Sequence, residues 1–439
     1  MKSISIIICT FACLPVVAIS AADPSVERSR RGPDVLTLGA VTQAVLTANP
    51  AVREARLRAS ALAQRPAQAS AWEDPKLSLS SRVARFVSIA PNGFTDQMVG
   101  VEQSIPVSGR NQIRARLLTT EVIVATEEVR RRELDSIAKA RSAYFRLARD
   151  HALLELNREN ALSWRETIET TRVRFEVGTR SQADVLAAES ELSRLVEARR
   201  DLERALSEDQ TELNVLMNRA PSTPLGRPID EPREARAHSL GSARLQPLAL
   251  ARRPEVRMAE ARLTVAATQR ELARRSWVPD PTVGLTAQRY NSAAQVVSEV
   301  GAGVSITLPW ANPAKYRALA REAADSEVGA QRALEQARLE ALGRLRDQLA
   351  RVETNQRHVE SFRDRLVPLA RQTLDATRTD YAAGRSVFAD LLLAQRNVRD
   401  TESTYRNYVA DLQMALAELE AVVGADLQLF PAARPPSRH

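Results

Sequence analysis

Apolar positions along this chain repeat with a helical period over most of its length. Twice, each time just after an Asp-Pro pair, the period drops to two. Behind Asp74-Pro75, Leu77, Leu79, Val83, Val87 and Ile89 fall on one face of an extended segment, with Lys76, Ser78, Ser80 and Arg82 on the other. The alternation is imperfect, because Arg85 sits among the apolar positions and Phe86 among the polar ones. Pro91, Asn92 and Gly93 read as a turn, and a weaker alternation returns behind them. Behind Asp280-Pro281 a second such pair goes out and back. Its return places Val296, Val300, Ala302, Val304, Ile306 and Leu308 against Gln295, Glu299, Gly301, Gly303, Ser305 and Thr307. Strands are therefore predicted at about 76–90, 94–106, 282–291 and 295–308. Taken singly, such segments fit a half-buried soluble sheet as well as a transmembrane β-barrel.

The helical stretches decide between the two. From Arg110 to Glu176 there is neither proline nor glycine. From Lys315 to Tyr381 only Pro368 interrupts, with Gly329 and Gly343 tolerated singly. A helix of about 65 residues is roughly 100 Å long, which requires a coiled coil or a tube of helices. Gly178 and Gly384 are expected to end these helices as C-caps. Ser181 with Asp184 fits a capping box that starts a returning helix. Two helical hairpins follow, over about 110–217 and 313–423.

The chain is also written twice. The tip stretch from Arg174 to Leu192 echoes that from Asp380 to Val398. In both, an aromatic precedes the glycine by three residues and an aspartate follows it by six. Upstream, a helix opened by Pro50 reaches Trp72 and Asp74-Pro75, as one opened by Pro254 reaches Trp277 and Asp280-Pro281. The counterparts stand roughly 205 positions apart throughout, which marks a duplication. The first repeat is placed at 36–220 and the second at 244–424, with a Pro-, Gly- and Ser-rich linker at 221–243 and a tail at 425–439. Pro66 has no counterpart in the second half. Each repeat is a helix, a β-hairpin and a long helical hairpin. Four strands cannot close a barrel in lipid, but three chains would supply about 12, an even number in the range of such barrels. The predicted fold is mainly α with a membrane β part: a trimeric β-barrel joined to a long α-barrel.

Composition agrees with narrow helix seams: aromatics are 4% of the 439 residues and glycines number 15. Net charge is +8, and all but four of the 62 basic residues are arginine. The signs alternate along helices, as from Glu127 to Arg141, which marks a solvated face and argues against nucleic acid as a partner. Residues 1–22 read as a signal peptide: Lys2, an apolar run, then Ser20, Ala21 and Ala22. Cys9 and Cys13 both lie in it, and the stretch before Cys13 is a poor lipidation signal. The four histidines (His151, His238, His358, His439) are scattered and the five methionines do not cluster. No metal site, cofactor or catalytic constellation is expected.

The paired tips, Phe175–Gly178–Ser181–Asp184–Val185–Leu186 and Tyr381–Gly384–Asp390–Leu391–Leu392, resemble those of the TolC-type outer-membrane efflux channels. So do the strand-to-helix joints Val101–Arg110 and Val304–Pro313. The resemblance runs from about Leu36 to Gly424. It implies a homotrimer in outer-membrane lipid, reaching into the periplasm and docking its helical tips on a periplasmic adaptor and an inner-membrane pump of the RND type. Docking candidates at the tips are Gly178, Thr179, Ser181, Asp184, Gly384 and Ser386. Candidates for a periplasmic constriction are Tyr381, Arg385, Asp390 and Leu393. Asp390 matches one acidic ring position of the family, whereas Leu393 stands where the second would be. Arg385 is expected to pair with Asp390 across the closed tip. Pro368, opposite Leu162 of the first half, is the hinge candidate, through a kink. The second half most resembles members serving heavy-metal pumps, so metal cations are the expected cargo. Drug or solvent efflux, type I secretion and a periplasmic coiled-coil scaffold without a pore are the other readings.

Overall fold

The computed structural model describes residues 35–81, 97–229, 242–291 and 296–424. The signal-peptide and Cys13 expectations, the alternation from Arg82 to Ile89, the turn at Pro91 and the tail lie outside these residues. In chain order the elements are β1 (Val35–Leu36), α1 (Leu38–Ala48), α2 (Pro50–Leu62), α3 (Arg65–Ser70), β2 (Lys76–Ser81), β3 (Gln97–Ser104), α4 (Arg110–Glu176) and α5 (Gln182–Leu216). The second repeat follows as β4 (Arg227–Pro228), α6 (Ser242–Arg252), α7 (Pro254–Arg275), β5 (Thr282–Asn291), β6 (Val296–Ser305), α8 (Pro313–Ser361), α9 (Val367–Ala382) and α10 (Phe388–Val423).

Local rules place the boundaries. Asn49 caps α2 by accepting from the Ala51 and Val52 N–H groups at 2.9 and 3.3 Å, with Pro50 behind it where no N–H is needed. Its Nδ2 also donates to the Leu216 carbonyl, tying the start of α2 to the end of α5. Asn312 and Pro313 open α8 in the same way. Pro66 falls in the first turn of the short helix α3, the place where proline costs a helix least. The helix from Pro50 therefore breaks after Leu62 and restarts at Arg65.

β2, β3, β5 and β6 form one antiparallel sheet in that order, so the repeats meet where β3 pairs with β5. The registers Leu77↔Val101, Val101↔Leu285 and Leu285↔Ala302 align one apolar row across all four strands. Beyond the sheet run α4 with α5, and α8 and α9 with α10. At 67 residues α4 is about 100 Å long. Midway along, β1 and β4 make a short parallel pair, and the Tyr144 hydroxyl donates to the carbonyls of Leu36 and Ile229 on either side of it. A buried cluster of Val41, Val45, Ala140, Leu147 and Leu213 packs the first repeat there, and Leu245, Leu345, Val352 and Leu419 pack the second.

Candidate functional site

The two ends of the molecule carry its chemistry. At the sheet end, Leu77, Leu79, Val99, Val101, Leu285, Val300 and Val304 share one face and all are exposed, Leu79 at 72% and Val300 at 83%. The opposite face carries Ser78, Ser80, Gly100, Glu102, Thr286, Gln288, Glu299 and Gly303. A hydrophobic outer face with a polar, small-residue inner face is the pattern of a barrel wall between lipid and a wet lumen. No helix among the described residues is long and apolar enough to cross a membrane.

Where sheet becomes helix, the repeats are clasped. Asp280 accepts from the Ser108 N–H at 2.8 Å, from the Ser108 hydroxyl at 2.9 Å and from Arg110 Nη2 at 2.5 Å. Burial would raise the Asp280 carboxyl, but these donors outweigh it and hold it below the ordinary carboxylate range.

At the far end, each outgoing helix stops in a Schellman turn. Gly178 and Gly384 both stand at φ +73°. Thr179 N–H reaches the Arg174 carbonyl at 2.9 Å while Arg385 N–H reaches that of Asp380 at 2.8 Å. Only glycine takes this conformation without cost, which is why the sequence repeats it. The restarts differ. Ser181 Oγ accepts from the Asp184 N–H at 3.3 Å, capping α5. Val387 has no oxygen to offer, so α10 relies on Asp390, whose carboxylate accepts from the Val387 N–H at 3.4 Å. Asp184 and Asp390 are both first-turn acids, Asp184 half-buried and Asp390 exposed.

The expected pairing of Arg385 with Asp390 is corrected by the structure. Arg385 instead grips Asp380, one Schellman turn back, at 2.6 Å, because both leave the same helix end. Leu393 is 62% exposed, and Ser386 is half-buried. Tyr381, by contrast, is a core residue. It is buried against Phe388, ring centroids 6.0 Å apart, in a cluster with Trp164, Ile168, Leu195, Leu374 and Leu391 that joins both hairpins. Arg174 and Arg180 of the first tip lie over its ring, 5.0 and 4.4 Å from the centroid, and donate to its carbonyl at 3.2 and 3.4 Å. The Tyr381 hydroxyl is buried without a hydrogen-bond partner among the described residues.

Sequence reasoning missed these two arginines, and their bracketing of Gly178 was the one signal available. It also missed Glu191, which is buried on α5 and pairs with Arg194 on its own helix and with Arg396 on α10. The hairpins are further stitched by Gln395 to Thr167 at 3.2 Å and Arg378 to Ser163 at 3.1 Å.

Pro368 lies in the first turn of α9, directly after a π turn over Phe362–Leu366. The missing N–H and the ring of Pro368 conflict with a regular α turn, and the wider turn accommodates them. The counterpart helix α4 runs through Leu162 unbroken. Among the described residues no cluster of His, Cys, Asp or Glu could hold a metal ion.

Known proteins match this arrangement. The model of the family described as outer membrane efflux protein covers residues 41–219 and 245–425. Two curated relatives from Pseudomonas putida strains, the probable efflux pump outer membrane protein SepC and the toluene efflux pump outer membrane protein TtgF, are each 27% identical over 223 residues. That match spans 49% of this chain and 45% of each relative, so the chain spans about half the length of the curated relatives it matches. Among solved structures, a membrane protein from Pseudomonas aeruginosa shares the fold with a TM-score of 0.76 at 18% identity, covering 88% of this chain and 93% of that one. The CusC channel does so with a TM-score of 0.74 at 16% identity, over 89% and 92%. The chain belongs to the outer membrane efflux protein family.

Proposed function

We propose that this member of the outer membrane efflux protein family is the exit channel of a three-part export complex. Three copies conduct substrate passively from periplasm to exterior, and the energy comes from an inner-membrane pump reached through a periplasmic adaptor. The observation that carries this reading is the sheet: one exposed apolar face, one polar face and two edges that pair with no strand among the described residues, at the end of paired helical hairpins. Lipid covers such a face and further copies cover such edges.

The tips with Gly178, Thr179, Ser181, Asp184, Gly384 and Ser386 are the docking end for the adaptor. Tyr381, Arg385, Asp390 and Leu393 surround the constriction, with Tyr381 as the packed closure and Pro368 as the point where the second hairpin bends. Heavy-metal cations are the first cargo reading, on the resemblance of the second half. Organic solvents are the second, favoured by the name of the toluene efflux relative. A strain lacking the gene, grown across copper, silver, zinc, cobalt and cadmium salts and across toluene and hydrophobic drugs, separates the two. Metal sensitivity alone supports the first reading and solvent or drug sensitivity the second. A protein that leaves the outer-membrane fraction without detergent overturns the channel.

A further inference from the structure

Near the level of the β1–β4 pair, two acidic side chains from neighbouring helices are buried together. Asp150 of α4 is 1% exposed and Asp209 of α5 is 8% exposed. Arg149 donates to Asp150 Oδ1 from Nε at 2.8 Å, with its Nη2 2.7 Å from the same oxygen. Arg146 donates to Asp209 Oδ1 at 2.8 Å and also pairs with Glu212, one turn along α5. Asp150 Oδ2 is buried and receives no N–H or O–H from the described residues. The Asp209 carboxyl nevertheless lies within hydrogen-bonding reach of Asp150. Two ionised carboxylates offer acceptors alone, so that approach needs a hydrogen on one of them.

The surrounding charges do not replace that hydrogen. From α10, Asp411 lies near Arg149. Asp150, Asp209, Glu212 and Asp411 therefore stand against the guanidiniums of Arg146 and Arg149, an excess of carboxylates. His151, next along α4, adds no positive charge: burial first, and then Arg227 of β4, push its imidazole below the ordinary range. Its Nε2 is buried with no partner among the described residues. Burial is also the main cause that raises the Asp150 carboxyl above its ordinary value, with Arg149 opposing and Asp209 reinforcing the rise. Burial raises the Asp411 carboxyl too, against the pull of Arg149.

We propose that Asp150 and Asp209 bind one proton between them, and that its loss loosens the seam where α4 and α5 of the first repeat meet α10 of the second. With the proton in place, a neutral carboxyl donates to a carboxylate, one of the stronger kinds of hydrogen bond. Without it, two like charges confront each other in a buried seam, where salt and water screen them least. Arg149 is then drawn to the acidic pair and away from Asp411, its neighbour on α10.

The direction of the pH response follows from the sign of the shift. The folded Asp150 carboxyl lies above its ordinary value, so its contribution is complete below that ordinary value and is lost as pH rises through the raised one. Asp280, held below its ordinary value, responds in the opposite direction. On the channel reading above, on which this clause rests, the seam stands in the periplasm and its hold on the second hairpin follows periplasmic pH.

The test is Asp150→Asn in the full-length protein. The amide keeps an oxygen for Arg149 and sets a permanent N–H toward Asp209 in the place of the shared proton. Amide exchange of the peptides around Asp150, Asp209 and Asp411 is compared between wild type and variant at pH 5 and at pH 8, each comparison at one pH so that intrinsic exchange cancels. The expected result is equal protection at pH 5 and at least ~5-fold faster exchange of the wild type at pH 8, one pK unit of differential proton affinity being worth about tenfold. Equal rates at both pH values overturn the shared proton. So does a variant that exchanges faster than wild type at pH 8, because Asp150 is then the fixed anionic partner of Arg149. A difference around Asp150 and Asp209 that is absent around Asp411 overturns the link to α10. A variant that fails to assemble by native mass also overturns the proposal, since the amide supplies the bridging hydrogen at every pH. Difference infrared spectra at pH 5 give a second readout: wild type minus variant should show the carbonyl stretch of one protonated carboxyl, and carboxylate bands alone overturn the pair. Fractionation with outer membranes tests the channel reading independently of these outcomes.

Discussion

The two repeats follow one plan, yet their helical hairpins differ in regularity. In the first, α4 runs unbroken from Arg110 to Glu176, and Ser181 caps its returning helix with a hydroxyl. In the second, the outgoing path carries a π turn before Pro368, and the returning helix is capped by the carboxylate of Asp390. Their joints to the sheet differ as well. Asp280 is clasped by Ser108 and Arg110 of the other repeat, whereas Asp74 has no such donors among the described residues. Duplication therefore supplied the shared plan, and single-residue departures left one outgoing helix continuous and the other with a π turn before a proline.

Removing what holds the second hairpin to the first should have the largest effect. Tyr381→Ala deletes a buried ring and the stacking of both arginines on it while keeping the carbonyl they donate to, a loss of about 3–4 kcal/mol at the tip. The expected outcome is fast amide exchange confined to the tips and a raised open probability in planar bilayers. Unchanged exchange would show that Arg174 and Arg180 hold the tip without the ring. The sheet joints come next. Asp280→Ala should cost about 2 kcal/mol by removing the acceptor of the Ser108 N–H and of Arg110 Nη2, while Asp74→Ala should cost less than about 0.5 kcal/mol. Because the folded Asp280 carboxyl lies below its ordinary value, its contribution is present at neutral pH. It is lost only as pH falls through that depressed value. Equal melting losses for both variants would erase the difference between the joints.

Pro368→Ala tests the bend itself. It allows a regular turn and should stabilise the helix by about 1 kcal/mol, leave the trimer intact and reduce export in the growth assay. Undiminished export would remove Pro368 from the opening motion. The smallest effect separates two roles for one acid. Asp390→Asn keeps a capping oxygen, so its stability should change by less than about 0.5 kcal/mol. Cation selectivity in bilayers should fall if the charge lines the constriction. Unchanged selectivity would leave Asp390 as a cap alone.

Short-range rules made most of the architecture legible in the sequence. The lengths of the helices follow from where proline and glycine are absent, the two tips from glycines at positive φ, and the strands from an alternation of period two. The duplication was readable because each of these signals recurs in order. The cross-links were not readable. Arg174 reaches Tyr381 across 207 positions and Asp280 reaches Ser108 across 172, and nothing local to either residue names its partner. Arg385 shows the same limit at close range: two aspartates lay within reach, and the Schellman turn brought Asp380 to it. Pro368 was visible as a break, but whether the helix would kink or widen into a π turn depended on how α9 packs in the tip cluster. The sequence by itself determined the elements, their repetition and the faces they expose, because these depend on neighbours one to five residues away. Only the tertiary structure decided which joint is clasped, where the helix widens into a π turn and which charges pair, because those energies arise after long helices have docked side by side.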